Sequence, residues 1–556
     1  MRTKLAFALI FLLLATVAAR LFQLQILQHG FWLAQAAKAQ ERKLVKPYPR
    51  GRIYDRNGVL LAADIKTRSI AIDPHHLERP EALKAILQRN LGLSDATLDE
   101  KFSHKNYFVW IKRKVNLNKA ERIAREAKEA GARGLIFIDE WQRRYPQGEL
   151  ASNILGFAGL DDRGLEGLEL GFDGLLRGKP GELRLIRSGD GAVVDQRVIS
   201  PGHPGADLVL TLDGQIQHLA EEKITWGIKK FKAKNGFIIV MDPHTGDLLA
   251  LAQAKRYDPN YFERSTPEER LNWAISWPFE PGSVLKIFTA LAALEAGVVS
   301  PGERFSGNEP VIVGGHRFHN AENYSYGPVT LQDIIAKSIN TGMIRVALRL
   351  GKERLYNFLK KMGFGQETRL GLPGEVPGTL RPVSEWSKLT IGAIPIGQAI
   401  SVTGLQLITA GAALANGGRL LQPQIIKEIR ESDGTVEQPQ PQVIRRVASS
   451  RNIELLKGMM EEVVKRGTGR AARIKGFKIA AKSGTAQKAF PGQGYVKGKY
   501  VSSFLGLLPA DAPKFIILAV LDEVGTEPYW GGHTAGEVFK ELAERLIDIE
   551  NLKPED

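Results

Sequence analysis

Residues 279–291 read FEPGSVLKIFTAL. A Pro281-Gly282 turn leads into a mostly apolar run, Ser283 to Glu295, that ends before Gly297. This spacing predicts a buried helix with Ser283 in its first turn. Ser283 and Lys286 are three apart and share a helix face, so the lysine can reach the hydroxyl. A serine hydroxyl is a poor nucleophile until a base takes its proton. A neutral lysine is such a base if burial and nearby positive charge depress its pKa. Free backbone N–H groups in the first helical turn favour a developing anion. Ser-x-x-Lys occurs once in this chain. Alone it reads equally well as a serine cap beside a solvated lysine.

Two further patterns follow in order. Of three Ser-x-Asn triplets, Ser306/Asn308 lies in a glycine-rich turn and Ser450/Asn452 reads as a helix cap. Ser338-Ile-Asn340 sits between two amphipathic helices, Leu331 to Ala336 and Met343 to Leu350, where a turn can aim both side chains into one cleft. There Ser338 can pass a proton to a leaving amine, and Asn340 can bond a substrate amide. Lys482-Ser-Gly-Thr485 is expected to end the alternating strand FKIAAKSGT. Gly484 allows a substrate backbone to approach the strand edge. Ser483 and Thr485 can bond a carboxylate in the potential of Lys482, and the N–H groups of Thr485 and Ser283 can form an oxyanion hole. Three modest patterns in this order make one strong constellation.

Strands surround this set of helices. Ala206 to Leu212 alternates, Gln215 to Lys230 reads as a helix, and a hairpin turns at Pro243-His-Thr-Gly246. Strand-like runs recur at Phe477 to Ala481, Ser502 to Leu508 and Phe515 to Leu521, before a last helix from Gly536 to Ile549. The pattern predicts an α+β or α/β domain with a largely antiparallel sheet. Upstream, Tyr54-Asp-Arg-Asn-Gly58 predicts a β-hairpin. Residues 81–130 look mainly helical, and the glycine-dense stretch 156–181 reads as turns and short elements. Ser200-Pro-Gly-His-Pro-Gly205 is a domain boundary.

Leu5 to Ala19 holds only apolar residues and one threonine, with Arg2 and Lys4 before it and Arg20 after. Apolar character continues to Leu27. The segment 5–27 is therefore read as a membrane anchor, favoured over a cleaved signal peptide. The flanking charges put residues 1–4 inside and the rest of the chain outside. Export reinterprets the composition. The 556 residues carry 76 Lys+Arg against 61 Asp+Glu, a formal charge of +15. That balance points to an anionic partner. An exported chain without a nucleic-acid signature leaves membrane headgroups or an anionic envelope polymer. Zero cysteines exclude a disulfide scaffold, a thiolate zinc site, an iron–sulfur cluster and a cysteine nucleophile.

Together these residues resemble the class B penicillin-binding proteins, most closely the cell-division (FtsI-like) type. The resemblance covers nearly the whole chain. Arg50-Gly-Arg52 with YDRNG looks like the family's opening motif, and RYPQGELASNILGFAG (144–159), GLEGLEL (164–170) and FDGLLRGKPG (172–181) are similar to its pedestal. FEPGSVLK, KSINTGM, IPIGQAISVTGLQL (394–407), AAKSGTAQK and residues 502–523 resemble its transpeptidase domain. The implied architecture is a cytoplasmic tail at 1–4, a single transmembrane helix at 5–27 and a mixed, dimerisation-type pedestal at 28–205. A serine β-lactamase/transpeptidase-like domain at 206–549 and a short tail at 550–556 complete it.

The implied reaction is D,D-transpeptidation of peptidoglycan stem peptides in septal wall synthesis. Ser283 attacks the penultimate D-Ala, Lys286 is the base, Ser338 and Asn340 form the second motif, and Lys482, Ser483, Gly484 and Thr485 form the carboxylate and oxyanion wall. β-Lactams would acylate Ser283. The implied partners are stem peptides, the lipid-linked precursor, the membrane, a SEDS-type glycosyltransferase and other division proteins. The implied place is the cytoplasmic membrane, single-pass, with the catalytic domain outside. No cofactor or metal is expected. The ten histidines form no metal-ligand motif, and His316 and His319 read as solvated turn residues.

Two departures stand out. Ser483 replaces the threonine common in the third motif, and appended C-terminal repeats are not expected after the last helix. The loop Phe490 to Tyr495 is glycine-rich and is read as mobile, gating the acceptor side. The segments INTGMIRVALRLG (339–351) and LYNFLKKMGFG (355–365) favour division over the elongation type. A D,D-carboxypeptidase or β-lactamase, a β-lactam sensor and a scaffold are weaker alternatives. They call for a deacylating-water route, a cytoplasmic output domain and dispensable motifs, respectively.

Overall fold

The computed structural model describes residues 2–187, 193–490, 492 and 494–554. The chain folds into two compact units. One holds residues 1–51, 66–141 and 177–205, and the other 52–65, 142–176 and 206–556. Sequence alone suggests one continuous block from 28 to 205. In the fold, 52–65 and 142–176 belong to the larger unit.

In the smaller unit, Arg2–Phe22 is an α-helix that runs on through a π-helical turn, Gln23–Leu27. These 26 residues include an 18-residue window of mean hydropathy 2.4, none of it buried. At ~1.5 Å per residue they span ~39 Å, enough for a ~30 Å hydrocarbon core. Among the described residues this is the one helix long and apolar enough to cross a membrane.

A compact α/β layer follows. Strand Val109–Asn116 pairs with Thr67 to Ile72. Helices Pro80–Leu91 and Leu117–Glu129 contribute Leu83, Leu87 and Ile123 to a core shared with Ile70, Ile72, Ile111 and Val115. Composition predicts that 81–130 is mainly helical. The segment VWIKRKVN within it is a strand because Ile111 and Val115, spaced by an even number, turn to one buried face.

The larger unit carries a five-stranded antiparallel sheet in the order Leu248–Gln253, Asn235–Met241, Phe515–Asp522, Gly494–Leu508, Ala480–Phe490. Its central strands are buried on both faces. Phe237, Ile239, Met241, Ile516 and Leu518 join a core with the helices Leu285–Glu295 and Gly404–Ala412. Ile238, Val240, Ile517 and Ala519 face Gly214–Phe231 and Ala535–Ile549. Strand alternation thus feeds two helical layers, and the expected α+β architecture with an antiparallel sheet is what forms.

The YDRNG segment makes the expected hairpin. Tyr54 pairs with Leu60, and buried Asp55 accepts from the N–H groups of Asn57 and Val59 at 2.9 and 2.8 Å. After a short helix at Ser152–Leu155, the glycine-dense stretch alternates turns with the short helices Gly167–Gly171 and Asp173–Leu176. A Cβ at Gly156 would lie 1.8 Å from the Glu166 carbonyl oxygen, so only glycine fits there. Beside it, Arg143 bonds Glu169 at 2.5 Å and Asp64 at 3.2 Å, all three nearly or fully excluded from solvent.

Candidate active site

Ser283 lies in a short 3-10 turn, Gly282–Val284, that continues as the helix Leu285–Glu295. Nearly every residue of that helix is buried, Lys286 included at 0 % exposure. Two glycines bring the Ser283 turn onto the third-motif strand. Gly282 adopts φ +54, and a Cβ there would sit 2.9 Å from the Thr485 carbonyl oxygen. A Cβ on Gly484 would sit 2.8 Å from the Pro281 oxygen and 2.3 Å from Ser503 Oγ. The strand Ala480–Phe490 is an edge, paired on one side only with Gly494–Leu508. Contrary to the expectation that the third motif ends its strand, Lys482 to Thr485 lie near the strand's start. Phe490 pairs with Gly494 and Ala489 with Tyr495, so the strands Ala480–Phe490 and Gly494–Leu508 form a long β-hairpin. Residues 491 and 493 lie outside the described residues.

Ser338 joins the helices Leu331–Ala336 and Asn340–Leu350 with a left-handed φ of +58, a conformation that costs a non-glycine residue about 1–3 kcal/mol. That conformation aims its hydroxyl between two lysines. Lys286 Nζ donates to Ser338 Oγ at 3.1 Å, and Lys482 Nζ donates to the same oxygen at 3.1 Å. Lys286 also donates to the Ser338 carbonyl oxygen and to Asn340 Oδ1, both at 2.6 Å. Lys482 donates to the Ser483 carbonyl oxygen at 2.9 Å. The hydrogen bonds of Lys286 therefore run to the second motif rather than to Ser283.

Burial and the neighbouring Lys482 charge push Lys286 well below the usual lysine range, and burial brings Lys482 down to about 7. A neutral Lys286 keeps two N–H donors for its two shorter contacts. Its lone pair is then left for a hydroxyl.

A cleft of about 540 Å³ opens above this pair, lined by Ser283, Ser338, Asn340, Ser483 and Thr485. All eight residues singled out from the sequence converge here. Five line the cleft, Lys286 and Lys482 lie beneath it, and Gly484 spaces the strand. The other two Ser-x-Asn triplets do not. Ser306 Oγ accepts from its own Asn308 N–H, and Ser449, not Ser450, caps the helix Ser450–Lys465.

Several groups escaped the sequence reading. Ser483 Oγ bonds Thr468 Oγ1 at 2.7 Å, and Thr485 Oγ1 accepts from the Gly531 N–H at 2.9 Å. Asn340 Nδ2 donates to the His319 carbonyl oxygen at 2.8 Å, and Asn320 Oδ1 accepts from Thr341 N at 2.9 Å. These fix the loop around 319–324 onto the second motif. The only local signal was Gly531-Gly532 ahead of the last helix, where a Cβ on Gly531 would meet the Gly484 oxygen at 2.0 Å. His319, read as solvated, bonds Glu309 through Nδ1 at 2.6 Å, and no metal-binding cluster occurs among the described residues.

The family model described as the penicillin-binding protein transpeptidase domain matches residues 236–544. The chain belongs to the penicillin-binding protein family. A second model, the penicillin-binding protein dimerisation domain, matches residues 45–210. The penicillin-binding protein PbpB of Mycobacterium tuberculosis is 34% identical over 578 residues, covering 98% of this chain and 84% of PbpB. The probable peptidoglycan D,D-transpeptidase PenA of Neisseria meningitidis is 33% identical over 551 residues, covering 98% of this chain and 91% of PenA. Among solved structures, penicillin-binding protein 3 from Mycobacterium tuberculosis complexed with aztreonam is 31% identical. It superposes with a TM-score of 0.72, over 92% of this chain and 98% of its own. This penicillin-binding protein is accordingly a peptidoglycan D,D-transpeptidase of the class B type, a serine acyltransferase with a transpeptidase fold and a dimerisation-type domain.

Proposed function

We propose that this penicillin-binding protein cross-links stem peptides during septal wall synthesis through an acyl-enzyme on Ser283. Ser283 Oγ attacks the penultimate D-Ala carbonyl while its proton passes to Lys286. The oxyanion is held by the N–H groups of Ser283 and Thr485. Ser338 hands a proton to the leaving amine of the terminal D-Ala, as the peptide C–N bond breaks. Ser483 and Thr485 bind that residue's carboxylate in the potential of Lys482, and Asn340 orients the stem amide. An amine of a neighbouring stem then attacks the ester. The new C–N bond forms, the C–Oγ bond breaks, and Ser283 recovers its proton. A β-lactam follows the first half and stops at the ester.

The observation that carries this reading is the Ser338 hydroxyl bridging two buried, pKa-depressed lysines in the cleft that Ser283 lines. It supplies a base and a proton relay without solvent.

The helix Arg2–Leu27 supports a single-pass anchor in the cytoplasmic membrane, with Arg2 and Lys4 inside and the catalytic domain outside. The proposed anchor is 5–27 and the proposed catalytic domain 206–549, with the pedestal drawn from the smaller unit's segments 28–51, 66–141 and 177–205. A SEDS-type glycosyltransferase and other division proteins are the proposed partners, with the lipid-linked precursor as their shared substrate. Segments 339–351 and 355–365 support the division role. Labelling with a fluorescent penicillin tests the nucleophile: wild type labels covalently and Ser283→Ala does not. Filamentation of depleted cells supports septal work, whereas rounding assigns the protein to elongation.

A further inference from the structure

A cavity of about 490 Å³ in the larger unit shares no lining residue with the Ser283 cleft. A recess of about 40 Å³ adjoins it, and Gln366, Glu367, Thr368, Ile444 and Arg445 line both. The helix Gly404–Ala412 contributes Thr409 to the recess. The paired strands Arg419–Leu421 and Val443–Arg446 contribute Leu420, Ile444 and Arg445. Gln406 of the same helix donates to the Gln366 and Pro377 carbonyl oxygens at 2.6 and 2.7 Å, which holds the loop between them against the helix.

Two polar atoms at the recess are left over. Thr409 is 7 % exposed, and its hydroxyl has no hydrogen-bond partner among the described residues. The Arg445 Nε is buried as well and also has none. A helical threonine ordinarily satisfies its hydroxyl on the carbonyl one turn back, as Thr225 does on Glu221 at 2.7 Å. Met362, Leu420 and Pro423 make much of the remaining wall apolar. An unpaired polar group in such surroundings costs free energy unless something binds it. The recess exceeds the ~10–15 Å³ that one water needs, and a guanidinium favours an anion over water. Glu367, on the shared wall, is exposed and forms no ion pair with Arg445 among the described residues.

We propose that the recess and its outer cavity form a second ligand site, for a monocarboxylate with a polar, uncharged body. Among the charged side chains that line the two cavities, Arg369 and Arg445 stand against Glu367, which leaves one net positive charge. That balance matches a single carboxylate and disfavours a phosphate dianion. The carboxylate accepts from the Arg445 Nε–H and from the Thr409 hydroxyl. The outer wall adds the amides of Gln366, Gln422 and Gln442. Amides both donate and accept, which suits the hydroxyl or amide groups of a neutral body. A sugar acid and the C-terminal end of a short neutral peptide share this chemistry.

The test titrates the full-length protein before and after reaction with a penicillin, reading binding by saturation-transfer NMR and unfolding by calorimetry. N-acetylmuramic acid and N-acetyl-glycylglycine are the two acids, N-acetylglucosamine is the neutral counterpart and inorganic phosphate the dianion. At least one acid is expected to bind saturably in both states of the protein, tighter than either control. The tighter acid tells a saccharide source from a peptide one. Thr409→Val and Arg445→Gln are each expected to weaken that binding about tenfold. Without ligand, Thr409→Val should keep or raise Tm, because a methyl replaces an unpartnered hydroxyl of the same shape. This variant remains informative if Arg445→Gln does not fold. A lower Tm would mean that the protein itself satisfies the hydroxyl, and overturns the inference. So do binding of neither acid, a control that binds as tightly, binding that the penicillin abolishes, and affinity unchanged in both variants.

Discussion

Ser338 is the position where fold stability and catalysis are set against each other, and two substitutions separate them. Ser338→Ala removes the hydroxyl that both Lys286 and Lys482 share at 3.1 Å, while keeping a side chain in a left-handed conformation. Ser338→Gly removes the same hydroxyl and relieves the strain. Lys286 retains its bonds to the Ser338 carbonyl and Asn340, and Lys482 retains its bond to the Ser483 carbonyl. Neither variant therefore leaves a lysine without a partner.

Losing the relay should slow acylation by about 10²–10⁴-fold in both variants. Releasing left-handed strain should make the glycine variant about 1–2 kcal/mol more stable than the alanine variant. In a unit of this size that difference corresponds to about 2 °C in Tm. The second-order rate of acylation by a fluorescent penicillin and calorimetric unfolding read the two effects separately. Wild-type acylation in Ser338→Ala would refute the relay. A glycine variant less stable than the alanine variant would refute the assignment of strain.

The remaining predictions concern titration and packing. Only neutral Lys286 is a base, and its folded pKa is lowered well below 10.5. The acylation rate should therefore rise with pH and reach its plateau well before pH 10.5, so a rate still climbing there contradicts the base assignment. For Lys482 the folded pKa, about 7, lies below an unfolded value near ~10.4. The unfolded chain thus binds the extra proton between those limits, and this lysine's cost to stability fades as pH rises through that window. The Lys482→Met variant should show a stability–pH slope shallower than wild type by up to about 1.4 kcal/mol per pH unit, measured by urea unfolding from about pH 7 to 9. An unchanged slope would mean that Lys482 is not held in a depressed state. Gly282→Ala places a Cβ 2.9 Å from the Thr485 oxygen at φ +54, and should lose penicillin labelling along with about 1–3 kcal/mol of stability. Full labelling would dissociate that close approach from the active geometry. Glu169→Ala takes one of two carboxylates from the buried Arg143 and should cost about 3–5 kcal/mol in urea unfolding, with less than about 1 kcal/mol arguing against a buried ion pair.

What the sequence made legible was local. Ser283 and Lys286 sit three apart on one helix, so their shared face followed from the helical period alone. The apolar runs 237–241 and 515–521 forecast a sheet that the structure buries on both faces. The link between motifs was not local. Lys286 and Lys482 meet at Ser338 across 52 and 144 residues of chain, and no spacing rule carries that distance. Thr468 and Gly531 support the third motif from loops whose composition says nothing of where they fold.

Two differences of element type have one cause. Within residues 81–130, which look mainly helical, Val109–Asn116 is a strand that buries Ile111 and Val115. At 490–495 a glycine-rich loop is expected, and its ends pair, Phe490 with Gly494 and Ala489 with Tyr495. In both places tertiary pairing overrides local composition.

The central claim is that Ser283 carries the acyl group. Cleavage after Arg270 and Lys286 releases residues 271–286, LNWAISWPFEPGSVLK, as one peptide that also holds Ser276. After reaction of the full-length protein with a penicillin, fragment-ion mass spectrometry should place a single adduct on Ser283 within this peptide. An adduct on Ser276, on any other residue of the chain, or on none would contradict the account.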